Sequence, residues 1–312
     1  MAAIRSQHRL ATLSAIVILA GVALAQDSYR RSIDTWRAER EKTIKGEEGW
    51  LSVTGLFWLK EGPNHFGAGA DNEIVLPLES GVARAGIFLL DQGKITLHVE
   101  DGVGVSLAGE PVRRLEVKTD AAGSPDVLRI GGLSLTVIKR GKRYGVRLKD
   151  DLSRNRREFT GLKWYPVRES FRVAARFIAY DQPKEIDIVN VLGDVEKSKS
   201  PGVLSFTLLG RTHRLEPIID DGKLFIIFKD LTSGKTTYPA GRFLYAEMPK
   251  DDANQGPKDS VVILDFNQAI NPPCAFTDFA TCPLPPRQNR LNIAIDAGEK
   301  TYHLGTTSRA SR

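Results

Sequence analysis

The spacing of apolar positions changes character once along this chain. Tyr29, Ile33 and Trp36 recur at positions i, i+4 and i+7, with Arg and Glu filling the other face. That is the period of a helix laid against a core. Asp27 or Ser28 offers the capping side chain, so the pattern predicts one amphipathic helix running up to Gly46. Beyond it the period becomes two: Ile95, Leu97 and Val99; Val103, Val105 and Leu107; Leu133, Leu135 and Val137; Phe171, Val173, Ala175 and Phe177. Alternation of this kind predicts half-buried strands.

Turn signals separate these strands, among them Asp91-Gln-Gly93, Asp101-Gly102, Gly131-Gly132, Arg140-Gly141 and Asp220-Asp221-Gly222. They supply residues that tolerate positive φ. Short strands at such spacing imply sandwich or barrel architecture, not a βαβ sheet. The polar stretch Asp150 to Arg157 interrupts the alternation and predicts a boundary. The fold expected is therefore mainly β, with two β-sandwich or barrel-like modules preceded by one N-terminal amphipathic helix. The helix belongs to residues 26–49, the first module to 50–156 and the second to 157–312. After Val261 to Leu264 comes a long stretch rich in Pro, Asn and Cys, reaching Arg290, with a final strand expected at Leu291 to Ile295. Long irregular segments of this kind carry function more often than regular ones.

The first residues add a destination. Arg5, His8 and Arg9 precede an apolar run from Leu10 to Leu24, and Ala23-Leu24-Ala25 stands before Gln26. This is the layout of a cleavable secretory signal, shorter than the roughly 20 apolar residues that span a bilayer. A mature protein starting at Gln26, exported and soluble, with no membrane span after cleavage, is expected. Loss of Arg5 and Arg9 lowers the formal net charge of +6 by two. The remaining charges are dispersed, with no Lys/Arg run to follow a phosphate backbone, so nucleic acid is not an expected partner.

Recognised catalytic signatures are absent: there is no Gly-x-Ser-x-Gly, His-Glu-x-x-His or P-loop. Gly67 and Gly69 give only a Gly-x-Gly fragment, no cofactor is implied, and His213 reads as an ordinary strand residue. Cys274 and Cys282 are the two cysteines of the chain. An even count in an exported protein, with seven residues between the two, favours a structural disulfide worth about 2 to 3 kcal/mol by loop entropy. Metal ligation would want further Cys or His nearby, and a nucleophilic Cys would want a His brought close by folding. No metal site is expected.

Several stretches carry a resemblance. They are Asp230-Leu-Thr-Ser-Gly-Lys-Thr-Thr-Tyr238-Pro-Ala-Gly-Arg242, Leu264-Asp-Phe-Asn267-Gln-Ala-Ile-Asn271-Pro-Pro-Cys274, Cys282-Pro-Leu-Pro-Pro286-Arg-Gln-Asn289 and Ala297-Gly-Glu299-Lys, preceded by Gly49-Trp-Leu-Ser-Val-Thr-Gly-Leu-Phe-Trp-Leu59. Together they resemble the domain-of-unknown-function family numbered 1684, which implies shared motifs without an assigned reaction. Gly62 to Asp150, with Asn72-Glu-Ile-Val-Leu and Leu107-Ala-Gly-Glu-Pro-Val, is similar to a forkhead-associated sandwich. It lacks that family's Gly-Arg and Ser-x-x-His elements at the corresponding places, so no phosphopeptide site is carried over.

The C-terminal motifs concentrate polar chemistry. Asp265 and Glu299 are candidate acid and base, and Thr232, Ser233, Thr236, Tyr238, Arg242, Asn267, Asn271 and Asn289 are candidate ligand contacts. The same residue types also cap turns and satisfy backbone in segments without ladder bonds. Two functions follow. One is a binding or scaffold module of the cell envelope, with Trp50 to Trp58 and the C-terminal loop forming a cleft for a carbohydrate, peptide, small molecule or envelope polymer. The other is a hydrolase using the Asp265/Glu299 pair, whose carboxylates would then be about 5 to 9 Å apart. The leader is tested by the intact mass of protein recovered from the envelope fraction. A chain beginning at Gln26 is expected, and a mass retaining Met1 to Ala25 would overturn the processing.

Overall fold

The computed structural model describes residues 26–78, 81–249 and 260–302. The leader and its cleavage point lie outside the described residues. Helix α1 spans 26–45, as its apolar period predicts. Ile33 and Ile44 are each 1% exposed on one of its faces.

Eleven strands follow: β1 (Val53–Trp58), β2 (Gly62–Gly67), β3 (Ile74–Val75), β4 (Gly86–Asp91), β5 (Lys94–Val99), β6 (Ser106–Leu107), β7 (Glu110–Pro111), β8 (Arg114–Glu116), β9 (Val127–Ile130), β10 (Leu133–Arg140) and β11 (Arg143–Asp150). They form a six-stranded sheet ordered β1-β11-β10-β9-β6-β7 and a five-stranded sheet ordered β3-β2-β4-β5-β8. Phe66, Phe88 and Leu97 from one sheet meet Leu128, Leu135 and Val146 from the other in a shared core. That is a sandwich.

After the short helix α2 (Arg154–Arg157) come β12 (Arg172–Val189), β13 (Val195–Leu208), β14 (Arg211–Leu215), β15 (Ile218–Asp220), β16 (Lys223–Phe228), β17 (Arg242–Ala246) and β18 (Val261–Asp265). Their sheets are ordered β14-β13-β12-β18 and β15-β16-β17. Among the described strands, none of β1–β11 pairs with any of β12–β18. Phe177, Leu204 and Leu264 face Leu224, Ile226 and Leu244, and the irregular tail adds Phe266, Leu291, Ile293 and Ile295 to the same core.

Two expectations are corrected here. Leu291 to Ile295 is not a strand, although its burial alternates. Its backbone is held without a ladder: Leu231 N donates to Ile293 O at 2.9 Å and Ile295 N donates to an Asp230 carboxylate oxygen at 2.7 Å. β10 is not half-buried either, since Ser134, Thr136 and Ile138 on its second face are also buried. That face is covered where the modules meet: Thr136 pairs across the ladder with Arg147, and the neighbouring Arg140 donates to Thr281 Oγ1 at 2.8 Å.

Helix α1 precedes the first module in sequence but packs on the second. Its bonds run to Asp265, Tyr165 and Glu299. Ile33→Ala should therefore cost about 2 to 5 kcal/mol, read as a lower denaturation midpoint. A change near zero would show that the helix docks through its polar contacts alone.

Candidate functional site

The motif residues fall into three settings. The first is a buried polar knot at the start of the loop after β16. Asp230 accepts from Thr232 Oγ1 at 2.8 Å, from Ser233 Oγ at 3.3 Å and from Arg242 Nη2 at 3.3 Å. Arg242 is wholly enclosed, and it also donates to the carbonyls of Ile295 and Ala297. Burial pulls the Arg242 guanidinium below its ordinary value, with Asp230 opposing. Thr236 Oγ1 bonds to the Tyr165 hydroxyl, and Tyr238 donates to Cys274 O at 3.0 Å. Burial pushes the Tyr238 hydroxyl up to about 12. Asn289 bridges segments, its amide donating to Glu216 O and Ile227 O while its oxygen accepts from Glu216 N at 2.7 Å.

The second setting is the buried ion pair under α1. Glu299 is 0% exposed, and Arg40 Nε donates to its Oε1 at 3.0 Å while Asn271 N donates to its Oε2 at 2.7 Å. The Asn271 amide donates onward to Lys300 O at 2.8 Å. Gly298 makes this approach possible. Its φ is +77°, and a Cβ there would lie 2.4 Å from Ala269 O, the carbonyl to which Glu299 N donates at 2.8 Å. Burial raises the Glu299 carboxyl above the usual range, and Arg40 and the Asn271 amide oppose the rise.

The third setting is open. Asp265 accepts from the Tyr29 hydroxyl at 2.8 and 3.0 Å and from the Asn267 backbone and side-chain amides, each at 3.0 Å. Asn267 also grips Arg168, accepting from its N at 3.0 Å and donating to its O at 2.8 Å. Burial and then Asp265 hold the Tyr29 hydroxyl well above its ordinary value. Beside Asp265 opens a cleft of about 450 Å³, lined by Trp36 of α1, Arg172, Lys223, Tyr245, Glu247, Ile263, Gln268 and Ile270.

Asp265 and Asn267 thus come together, as do Glu299 and Asn271, but Glu299 does not line the cleft. The carboxylates that face one cavity are Asp265 and Glu247, and both Glu299 oxygens are already engaged. Trp50 and Trp58 are not cleft residues either; they stack under Arg147 and Arg143. His213 packs against Phe206 with ring centroids 5.7 Å apart. Cys274 and Cys282 lie side by side with no bond between their sulfurs in this structure, and Cys274 N donates to Cys282 Sγ at 3.0 Å. Among the described residues no group of three or more His, Cys, Asp or Glu could hold a metal ion, and no helix is long and apolar enough to cross a membrane.

Sequence reasoning missed Tyr29, Arg40 and Trp36 as partners of the C-terminal motif. The signal for Arg40 was present: Ile33, Arg37, Arg40 and Ile44 share one helical face, so two arginines stand in the apolar stripe.

Residues 157–300 match the family described as Protein of unknown function (DUF1684). The chain belongs to this family. An uncharacterized protein from gene locus rrnAC0354 of Haloarcula marismortui, solved by solution NMR, is 32% identical, over 47% of this chain and 79% of that one, with a TM-score of 0.39. Similarity also extends to the FhaA FHA domain complexed with the intracellular domain of Rv3910, at 19% identity, 30% of this chain, 97% of that chain and a TM-score of 0.22. A third structure, from a study of phosphothreonine-dependent FHA domain interactions, matches at 19% identity, 30% of this chain, 92% of that chain and a TM-score of 0.22. No protein of the curated set matches. The DUF1684 motif residues Asn267, Asn271, Asn289 and Arg242 all bond to backbone groups.

The raised Glu299 carboxyl gives a signed expectation. The folded chain holds this proton more tightly than the unfolded one. Its contribution to stability is therefore full below the ordinary glutamate value, about 4.3, and is lost as pH rises through the raised value. Glu299→Gln removes that dependence. The melting-temperature gap between variant and parent should move in the variant's favour from about pH 4 to about pH 7. A gap independent of pH would show that Arg40 fully offsets the burial.

Proposed function

We propose that this protein is an exported ligand-binding module of the cell envelope and that the cleft beside Asp265 receives its ligand. The cleft itself carries the reading. It offers two aromatic faces, Trp36 and Tyr245, two cations, Arg172 and Lys223, two carboxylates, Asp265 and Glu247, and the amide of Gln268. Aromatic faces suit sugar rings or apolar groups, while charges of both signs suit a ligand carrying carboxylates and amines together. A glycopeptide of the envelope polymer has this chemistry.

Two of the cleft charges, Lys223 and Glu247, are available to a ligand. Lys223 and Glu247 meet at 2.8 Å but are 50% and 80% exposed, so their mutual attraction is weak and easily exchanged. Tyr245 is 40% exposed, an unusual amount for a large aromatic ring. Export rests on the leader that precedes Gln26. In an oxidising compartment the adjacent Cys274 and Cys282 would close to a disulfide and pin the Pro-rich segment.

Calorimetry with a soluble muropeptide, a disaccharide bearing a short charged peptide, tests the reading. Trp36→Ala and Lys223→Ala should each weaken binding at least about fivefold, the usual threshold of an interface hot spot near 1 kcal/mol. Lys223→Ala should melt near the parent temperature, whereas Trp36→Ala also gives up the ring contact with Trp164 and should melt lower. Absence of binding to the muropeptide, or binding that neither substitution alters, would overturn the assignment.

A further inference from the structure

We propose that Cys274 and Cys282 form a reactive dithiol at the junction of the two modules, with Cys274 the attacking sulfur, Arg147 its counter-cation and a disulfide its co-reactant. The proposal is independent of the cleft. It starts from an unbalanced charge. Arg147 lies on β11 and is only 9% exposed, yet its Nε and Nη2 have no hydrogen-bond partner among the described residues. Its guanidinium lies 5.1 Å from the ring centroid of Trp50, and Trp50 packs against the apolar cluster that contains both cysteines. A buried guanidinium with two idle donors is costly unless an anion shares its surroundings.

The groups around it leave few candidates. Arg140 is a like charge, and Asp120 is taken up by Arg140 Nη1 at 2.7 Å and by Lys139 N at 2.8 Å. Burial brings Arg147 down only to about 10, so it stays cationic at neutral pH. Both thiols also lie in its field, and each favours the cation. Tyr238 donates its hydroxyl to the Cys274 carbonyl and is held protonated by burial, while Asp278 opposes ionisation of Cys274.

Geometry distinguishes the two sulfurs. Cys282 is 4% exposed, whereas Cys274 is partly open to solvent and can meet an incoming reagent. The Cys274 thiol donates to the Ala280 carbonyl at 3.6 Å, a bond that the attacking thiolate gives up. Hydrogen bonding from Cys282 pulls the Cys274 thiol below its ordinary value against burial. The same bond, and then burial, pushes Cys282 up.

The chemistry is thiol–disulfide exchange. Cys274 thiolate attacks one sulfur of a disulfide, forming a mixed disulfide and releasing the other half as a thiolate. Cys282 then loses its proton to solvent and attacks Cys274 Sγ, forming the Cys274–Cys282 bond and expelling the second thiolate. Two electrons pass from the dithiol to the co-reactant. The lock this makes ties the segment that covers the outer face of β10 and β11.

The test mixes reduced, full mature protein with an aromatic disulfide whose thiolate is coloured, from about pH 5 to about pH 9. Parent protein should release two coloured thiolates per chain, and Cys282→Ser one, at a lower initial rate because the hydrogen bond from the Cys282 thiol is lost. Cys274→Ser should react at least about tenfold more slowly. The pH midpoint of the parent rate should lie below the ordinary thiol value of about 8.5, and Arg147→Met should move it up, with Arg147→Lys restoring part of the shift. If Arg147→Met fails to fold, the pH midpoint of the first thiolate released by the parent decides alone: a midpoint below the ordinary value supports the proposal and one at or above it overturns it. A Cys274→Ser protein that reacts as fast as the parent, or no reaction before denaturation, also overturns it.

Discussion

The backbone of residues 266–299 passes through the interior of the second module without a ladder, and every polar group it carries there needs a partner from elsewhere. Most of the C-terminal polar residues answer that need. Asn267 closes on Arg168, Asn289 on Glu216 and Ile227, Asp230 on Ile295, and Arg242 on Ile295 and Ala297. An amide or guanidinium with several donors in fixed geometry replaces a strand neighbour. The density of polar side chains in these motifs is thus chiefly a consequence of an irregular chain in an apolar core.

That arrangement leaves one carboxylate buried in need of a charge, and α1 supplies it. Arg40 reaches Glu299, Arg37 donates to Tyr165 O at 3.0 Å, and Tyr29 reaches Asp265. Helix α1 is therefore tied to residues more than two hundred positions later. Trp36 of α1 and Ile263 and Asp265 of β18 stand on the walls of the cleft. The clefted surface and the buried ion pair are two results of one docking event.

The junction between the modules follows from the same tail. On the second face of β10 and β11, Trp50 stacks on Arg147 and Arg140 bonds to Thr281, and Thr136 and Ile138 are buried where the alternation of β10 predicts exposure. Thr277 donates to Val53 O at 3.0 Å, and Arg143 pairs with Asp194 on the turn after β12. The first module is held by the irregular tail and the β12–β13 hairpin, not by any shared sheet.

From the sequence alone came the mainly β class, an N-terminal helix up to Gly46, the strands at Ile95 to Val99 and Leu133 to Val137, and the concentration of polar residues near the C-terminus. Each depends on local period or turn chemistry, which neighbouring residues carry. Leu291 to Ile295 shows the limit, because alternation reports which side chains are buried and says nothing of what bonds the backbone. The pairing of Asp265 with Tyr29 and Glu299 with Arg40, and the division of the two carboxylates between an open cleft and a closed core, were decided only in three dimensions. No local pattern encodes which distant charge will be within reach of a buried group; that depends on how α1 and the tail pack together.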